Sequence, residues 1–338
     1  MEGHDPFVFA QIIAGGMTLF FMGFIIIILF ATCKQIRDSN MRPAEKTETQ
    51  DSLHVAHYIR PELPSLMTEP QERASYYVRH YWDHYSLADT AFIHSNQTEQ
   101  LFADFLDALQ YTDSNVCTNA LQNMMTYMEA NETAYGHFCF LSEKYLYDPN
   151  SPMRNEDYYM AVLEQMIASP RLTEYKKIRP ADQLQQAHKN RPGMTATDFT
   201  YITPSGEVSR MSRLKAEFTL LFFYDPDCTN CKENERILSE VPLVHNLQKE
   251  GRLRILAVYP DDNKKEWLLN ASKMPEGWII GWNKQGDIRS QQLYDIRATP
   301  TLYLLDKQKK VIVKDAPLEK IIQHLSVATA NSDSKITN

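Results

Sequence analysis

Apolar residues recur every three to four positions from about residue 72 to 187, and in short dense runs from about residue 195 onward. The first pattern is helical and the second mixes strands with helices. Leu101, Phe105 and Leu109 repeat every fourth residue, and Leu121, Met124, Met125 and Met128 share one stripe, so each set lines the inner face of a helix. Further helices are predicted over 76–85, 134–146 and 156–167. The run from Asp148 to Pro152, Ser169-Pro170 and Arg191-Pro192-Gly193 interrupt the period, as proline and glycine do at element ends. These signals define an all-α domain over 71–190. Beyond it, the apolar run 218–224 and the alternation of Leu253, Ile255 and Ala257 predict strands, 264–271 a helix, and 301–305 with 310–313 a strand pair. The expected fold there is α/β over 195–327, with a flexible tail at 328–338.

The stretch 7–32 carries a single strongly polar residue, Gln11. Roughly 26 such residues at about 1.5 Å each span a bilayer core of about 30 Å, so 1–38 reads as a membrane segment. Two forms of it stay open. One is a transmembrane anchor. The other starts at Met17 and ends in Leu29-Phe30-Ala31-Thr32-Cys33, which resembles a lipoprotein cleavage site with Cys33 as the lipidated residue. Glu2 and Asp5 precede the segment while Lys34, Arg37 and Arg42 follow it, and the positive-inside rule taken alone puts the bulk of the chain in the cytoplasm. Residues 39–70, rich in proline and charge, read as a linker.

A length of 338 residues, 43% of them apolar and 23% charged, accommodates two folded domains and an anchor. The net charge of −8 argues against nucleic acid as a partner, since such proteins carry a basic surplus.

The chemistry concentrates at Cys228-Thr229-Asn230-Cys231, which follows the 218–224 run and opens a polar–apolar stretch over 232–247. A strand delivering two cysteines to the start of a helix is the layout of a dithiol–disulfide site. Unpaired N–H groups and the positive end of the helix dipole favour the first thiolate, and the thiolate is the species that attacks a disulfide. Zinc needs a second ligand pair. Cys33, Cys117 and Cys139 form no second such motif, and His245 falls near the far end of the same predicted helix. His80 and His84 sit four apart on a predicted helix but lack the glutamate and third ligand of a zinc motif. We therefore expect no metal and no cofactor. A pairing of Cys117 with Cys139 is left open. Tyr145, Tyr147, Tyr158 and Tyr159 are aromatic enough to line a peptide groove, but division between core and surface is the simpler reading.

Some seventy residues on, Ala298-Thr299-Pro300-Thr301 leads into the apolar run ending at Leu305. Proline at a strand start suits an edge, a bulge or a cis turn. With Ala196-Thr197-Asp198-Phe199, the glycine turn at Gly206 and the Cys-x-x-Cys, these residues make the segment 195–325 resemble thioredoxin-like domains of the TlpA/ResA envelope type. The resemblance implies a thioredoxin-like fold, attack by Cys228, resolution by Cys231, and docking of the substrate backbone on Thr299 and Pro300. It also implies protein disulfides or dithiols as substrates, an upstream membrane electron donor, and a folded portion tethered on the periplasmic side of the cell envelope. That placement runs against the charge pattern. Residues 143–156 and Tyr81-Trp82-Asp83 are similar to a helical domain of uncharacterised function that precedes such domains in bacterial envelope proteins.

Three departures from the pattern bear on chemistry. Asp225-Pro226-Asp227 stands where a tryptophan-rich motif is usual, Thr229-Asn230 replaces the common Gly-Pro or Pro-His, and Phe222 occupies the position of thioredoxin's buried carboxylate. Negative charge beside Cys228 raises its pKa and favours the disulfide, which predicts a reducing couple nearer thioredoxin's (about −270 mV) than DsbA's (about −120 mV). A peroxidase of the AhpC/TSA type needs a proline seven and a threonine or serine three residues before its cysteine, where Leu221 and Asp225 stand. The remaining alternative is an envelope binding protein whose dithiol does no chemistry.

Overall fold

The computed structural model describes residues 57–336, with side chains through residue 330. The predicted membrane segment, Cys33 and the linker up to residue 56 lie outside it. Among the described residues, no helix is long and apolar enough to cross a membrane.

The first part is helical: α1 Pro70–Arg79, α2 Thr90–Ile93, α3 Asn96–Leu109, α4 Ser114–Met128, α5 Glu132–Ser142 continued by a π-helical turn Glu143–Tyr147, α6 Glu156–Ala168 and α7 Glu174–His188. Their starts are set by side chains that accept otherwise unpaired first-turn N–H groups. Asp89 caps α2, Asn131 caps α5, Asn155 caps α6 and Thr173 caps α7. The predicted stripes are the buried faces, with Leu101, Phe105, Leu109, Leu121, Met124, Met125 and Met128 all inside. An aromatic knot locks them, Trp82 lying edge-on to Phe138 at 5.0 Å and to Phe105 at 5.5 Å. The last residues of the predicted linker belong to this unit. His57 stacks on Phe92 at 4.7 Å, and Tyr58 bridges to Tyr85, because a half-buried tyrosine gains more on an aromatic core than in solvent.

Two histidine expectations are corrected. Helix α1 ends at Arg79, so His80 and His84 do not share a helix face, and His80 instead meets Asp83 at 2.7 Å. The helix predicted to run on from Cys231 past His245 is two, α8 Thr229–Glu240 and α9 Pro242–Lys249. Pro242 has no N–H to continue the ladder and begins a new helix.

The second part is a seven-stranded sheet of order β2-β1-β5-β4-β3-β6-β7, with β1 Thr200–Ile202, β2 Val208–Arg210, β3 Phe218–Phe223, β4 Leu253–Tyr259, β5 Ile279–Trp282, β6 Thr301–Leu305 and β7 Val311–Lys314. Strands β3, β4 and β5 are parallel, while β6 runs antiparallel to β3. Phe218, Leu220 and Phe222 face one core, with Leu238 and Val244 of α8 and α9 and with Ile321 and Leu325 of the last helix, α12 Leu318–Ile336. Leu221 and Phe223 face the other, with Phe199, Tyr294 and Tyr303. Burial on both faces is why the strand reads as an apolar run interrupted only by Thr219. Between these elements lie α10 Lys264–Ala271 and α11 Asp287–Ser290.

The two parts meet through charged side chains. Arg154 pairs with Asp315 at 2.9 Å. Lys314, 5% exposed, reaches Glu156 at 2.9 Å and donates to the carbonyls of Ala187 at 2.9 Å and Lys189 at 2.8 Å. An ammonium from β7 thus satisfies the last carbonyls of α7 and complements the negative end of its dipole.

Candidate active site

Strand β3 ends at Phe223, and the chain turns through Asp225, Pro226 and Asp227 into α8. The turn closes on itself, as Asp227 N–H donates to the Asp225 carboxylate at 2.8 Å and Cys228 N–H to the Asp225 carbonyl at 3.1 Å. Cys228 is therefore the N-cap of α8, and its sulfur accepts the Cys231 N–H at 3.0 Å. Cys228 and Cys231 form a disulfide with Cα atoms 5.2 Å apart. Cys231 is fully buried while Cys228 is half-exposed, so one sulfur is open to a partner and the other is shielded.

Opposite the pair lies the cis peptide Thr299–Pro300, with the Thr299 carbonyl oxygen 3.2 Å from the Cys228 sulfur. Register explains how residues so distant in sequence meet. Strand β6 pairs with β3, Thr301 opposite Phe223, so the residues before β6 and those after β3 emerge at the same sheet end. All four residues singled out from the sequence, Cys228, Cys231, Thr299 and Pro300, are brought together there. A groove of about 390 Å³ runs past them, lined by Asp225, Asp227 and Cys228 on one side and by Arg289 and Ile296–Thr299 on the other.

Sequence reasoning missed Glu266. Helix α10 brings its carboxylate to Asp225 and Asp227, all three within 4.8 Å of one another. Loss of hydration, then the two aspartates, push its carboxyl above the usual range. The helix was legible, but its approach to the Cys228 turn is set by the sheet. Asp225 and Asp227 line the same groove as Cys228, so the cluster brings negative charge near the sulfur.

Phe222 is buried, its ring 5.4 Å from Trp278, and offers no proton acceptor. Glu235, half-buried, stands four residues after Cys231 on α8, a spacing that shares one helix face at about 5–6 Å between Cβ atoms. Burial raises its carboxyl pKa. Cys117 and Cys139 are both free thiols. Burial pushes the Cys139 thiol up to about 12, so little of it is thiolate at neutral pH. Tyr159 is core, bonded to Gln183 at 3.1 Å and stacked on Tyr147 at 4.9 Å.

Residues 208–325 match the thioredoxin-like domain family, and residues 32–190 match DUF5106, a domain of unknown function. A thioredoxin-like protein from Bacteroides caccae of known crystal structure is 39% identical, covering 80% of this chain and 98% of its own, with a TM-score of 0.76. A conserved protein of unknown function from Bacteroides fragilis is 58% identical over 40% of this chain and 98% of its own, at a TM-score of 0.40. The thioredoxin domain of a thiol-disulfide oxidoreductase from Bacteroides vulgatus is 19% identical over 44% of this chain and 99% of its own, at a TM-score of 0.35. No curated protein matches.

Proposed function

Since the chain belongs to the thioredoxin-like proteins, with a DUF5106 helical domain ahead of the redox fold, we propose that it is a reducing thiol–disulfide oxidoreductase. In this reading residues 1–38 tether it to the membrane at the cell envelope, with the folded domains on the periplasmic side. The observation that carries the chemistry is Cys228 at a helix N-cap, its partner sulfur buried, facing the Thr299–Pro300 loop.

The Cys228 thiolate attacks one sulfur of a client disulfide. A mixed disulfide forms, and the second client sulfur leaves as a thiolate that takes up a proton. Cys231, once deprotonated, attacks the Cys228 sulfur and releases the first client sulfur. Two electrons pass to the client, and the Cys228–Cys231 disulfide is left for an upstream membrane dithiol donor to reduce. The Cys231 N–H and the helix dipole favour the Cys228 thiolate by about 0.3–1 kcal/mol. The Thr299 carbonyl and the Asp225–Asp227–Glu266 cluster oppose it, which favours the disulfide and hence a reducing couple. The deciding measurement is the reduction potential of this pair together with insulin-disulfide turnover by the full chain. A potential above about −180 mV, where disulfide isomerases lie, overturns the reducing assignment.

Two further results are expected. Combining Asp225→Asn, Asp227→Asn and Glu266→Gln removes the opposing charge. The pH midpoint of Cys228 alkylation then falls by about one, and the potential measured above that midpoint rises by about 30 mV. A fall in potential contradicts the electrostatic account. We assign Glu235, one helical turn after Cys231, as the base that takes the Cys231 proton, and Glu235→Gln removes it. Mixed-disulfide resolution slows by about a hundredfold, the lower range of general-base catalysis, while the initial attack keeps its rate. Equal loss in both steps, read by quenched-flow trapping, argues against that role.

A further inference from the structure

We propose that the helical domain positions the Thr299–Pro300 loop through Arg297, so that client docking depends on a contact between the two domains. The inference rests on the redox reading above and extends it to a part of the chain with no assigned role.

Arg297 lies two residues before Thr299 and lines the groove beside Cys228. Its side chain is only 15% exposed and points toward the helical domain. The guanidinium lies 4.1 Å from the centre of the Tyr147 ring and donates to the Tyr147 carbonyl oxygen. Asp295 pairs with it at 2.9 Å, and Asp315 at 3.2 Å. Asp315 is in turn held by Arg154 of the helical domain, at its carboxylate and its backbone carbonyl. Tyr147 is itself braced from below by Tyr159, stacked at 4.9 Å, and is delivered by the π-helical turn that ends α5.

Ion pairs alone are weak grounds for a stabilising role, because desolvation offsets the attraction. Here the geometry matters more than the charge. A planar guanidinium clamped between an aromatic face, two carboxylates and a carbonyl has few ways to move. A short backbone link carries that constraint to the Thr299 carbonyl that faces the sulfur.

The test uses full-length chain carrying Tyr147→Leu, which removes the ring and keeps the carbonyl, and Tyr147→Phe, which keeps both. Arg154→Gln serves as an independent second variant. Amide hydrogen exchange over residues 296–301 and the KM and kcat for insulin reduction are measured together. Tyr147→Leu and Arg154→Gln are expected to speed exchange in the loop and raise KM by about tenfold, the scale of a partly buried cation–π contact, with kcat unchanged. Tyr147→Phe restores both. Unchanged loop exchange in Tyr147→Leu and Arg154→Gln overturns the proposal, as does a loosened loop with an unaltered KM. An unsubstituted chain that reduces no disulfide sinks the redox reading alone, and loop exchange still decides whether the helical domain holds the loop.

Discussion

Cys228→Ser is expected to reduce insulin disulfides no faster than buffer does, because a serine hydroxyl stays protonated at neutral pH and forms no bond to a client sulfur. Cys231→Ser should behave differently. The first attack still occurs, but the nucleophile that breaks the mixed disulfide is gone, so covalent adducts with client thiols accumulate toward one per chain. Non-reducing electrophoresis reads both outcomes, a ladder of adducts from Cys231→Ser and none from Cys228→Ser. The asymmetry follows from burial, since Cys228 is half-exposed and Cys231 fully enclosed. Activity retained by Cys228→Ser, or equal adduct formation by both variants, removes the basis for dithiol chemistry at this site.

Phe222→Ala is expected to cost about 3–5 kcal/mol, the range for truncating a buried aromatic residue. The ring is fully enclosed on an interior strand of the sheet, against Trp278 and next to Tyr224 on the same chain face. A loss of that size is a large part of the roughly 5–15 kcal/mol that holds a domain folded. Phe222→Leu keeps most of the volume and should cost less than about 1.5 kcal/mol. Urea unfolding followed by the tryptophan signal separates the two, and near-neutrality of Phe222→Ala would mean that the sheet is not built around this ring.

The same residue illustrates what was legible beforehand. A run of large apolar side chains, interrupted here only by Thr219, announces a strand covered on both faces, and β3 is one. The helical stripes were equally plain, since Met124, Met125 and Met128 have no other use at that spacing. The break at Pro242 was missed, because the apolar period continues on either side of it and reads as one helix. The juxtaposition of Cys228 with Thr299 was of another kind. It came from resemblance, because nothing local in either segment says that β6 will pair with β3. Charged positions were the least legible. Arg154, Arg297 and Asp315 look in sequence like ordinary solvated side chains, and only the docking of helical domain on sheet turns them into a half-buried cluster. Glu266 escaped notice for a related reason, since its neighbours Asp225 and Asp227 are reached through space rather than along the chain.

Lys314 carries a consequence for how such chains diverge. One ammonium on the sheet's edge strand finishes the last turn of α7, more than a hundred residues earlier. A helical unit grafted from a relative onto a different redox domain arrives with that turn open, unless the recipient already has a cation at the matching place. A chimera that exchanges one half alone is therefore expected to need a cation at the place of Lys314 to close that turn.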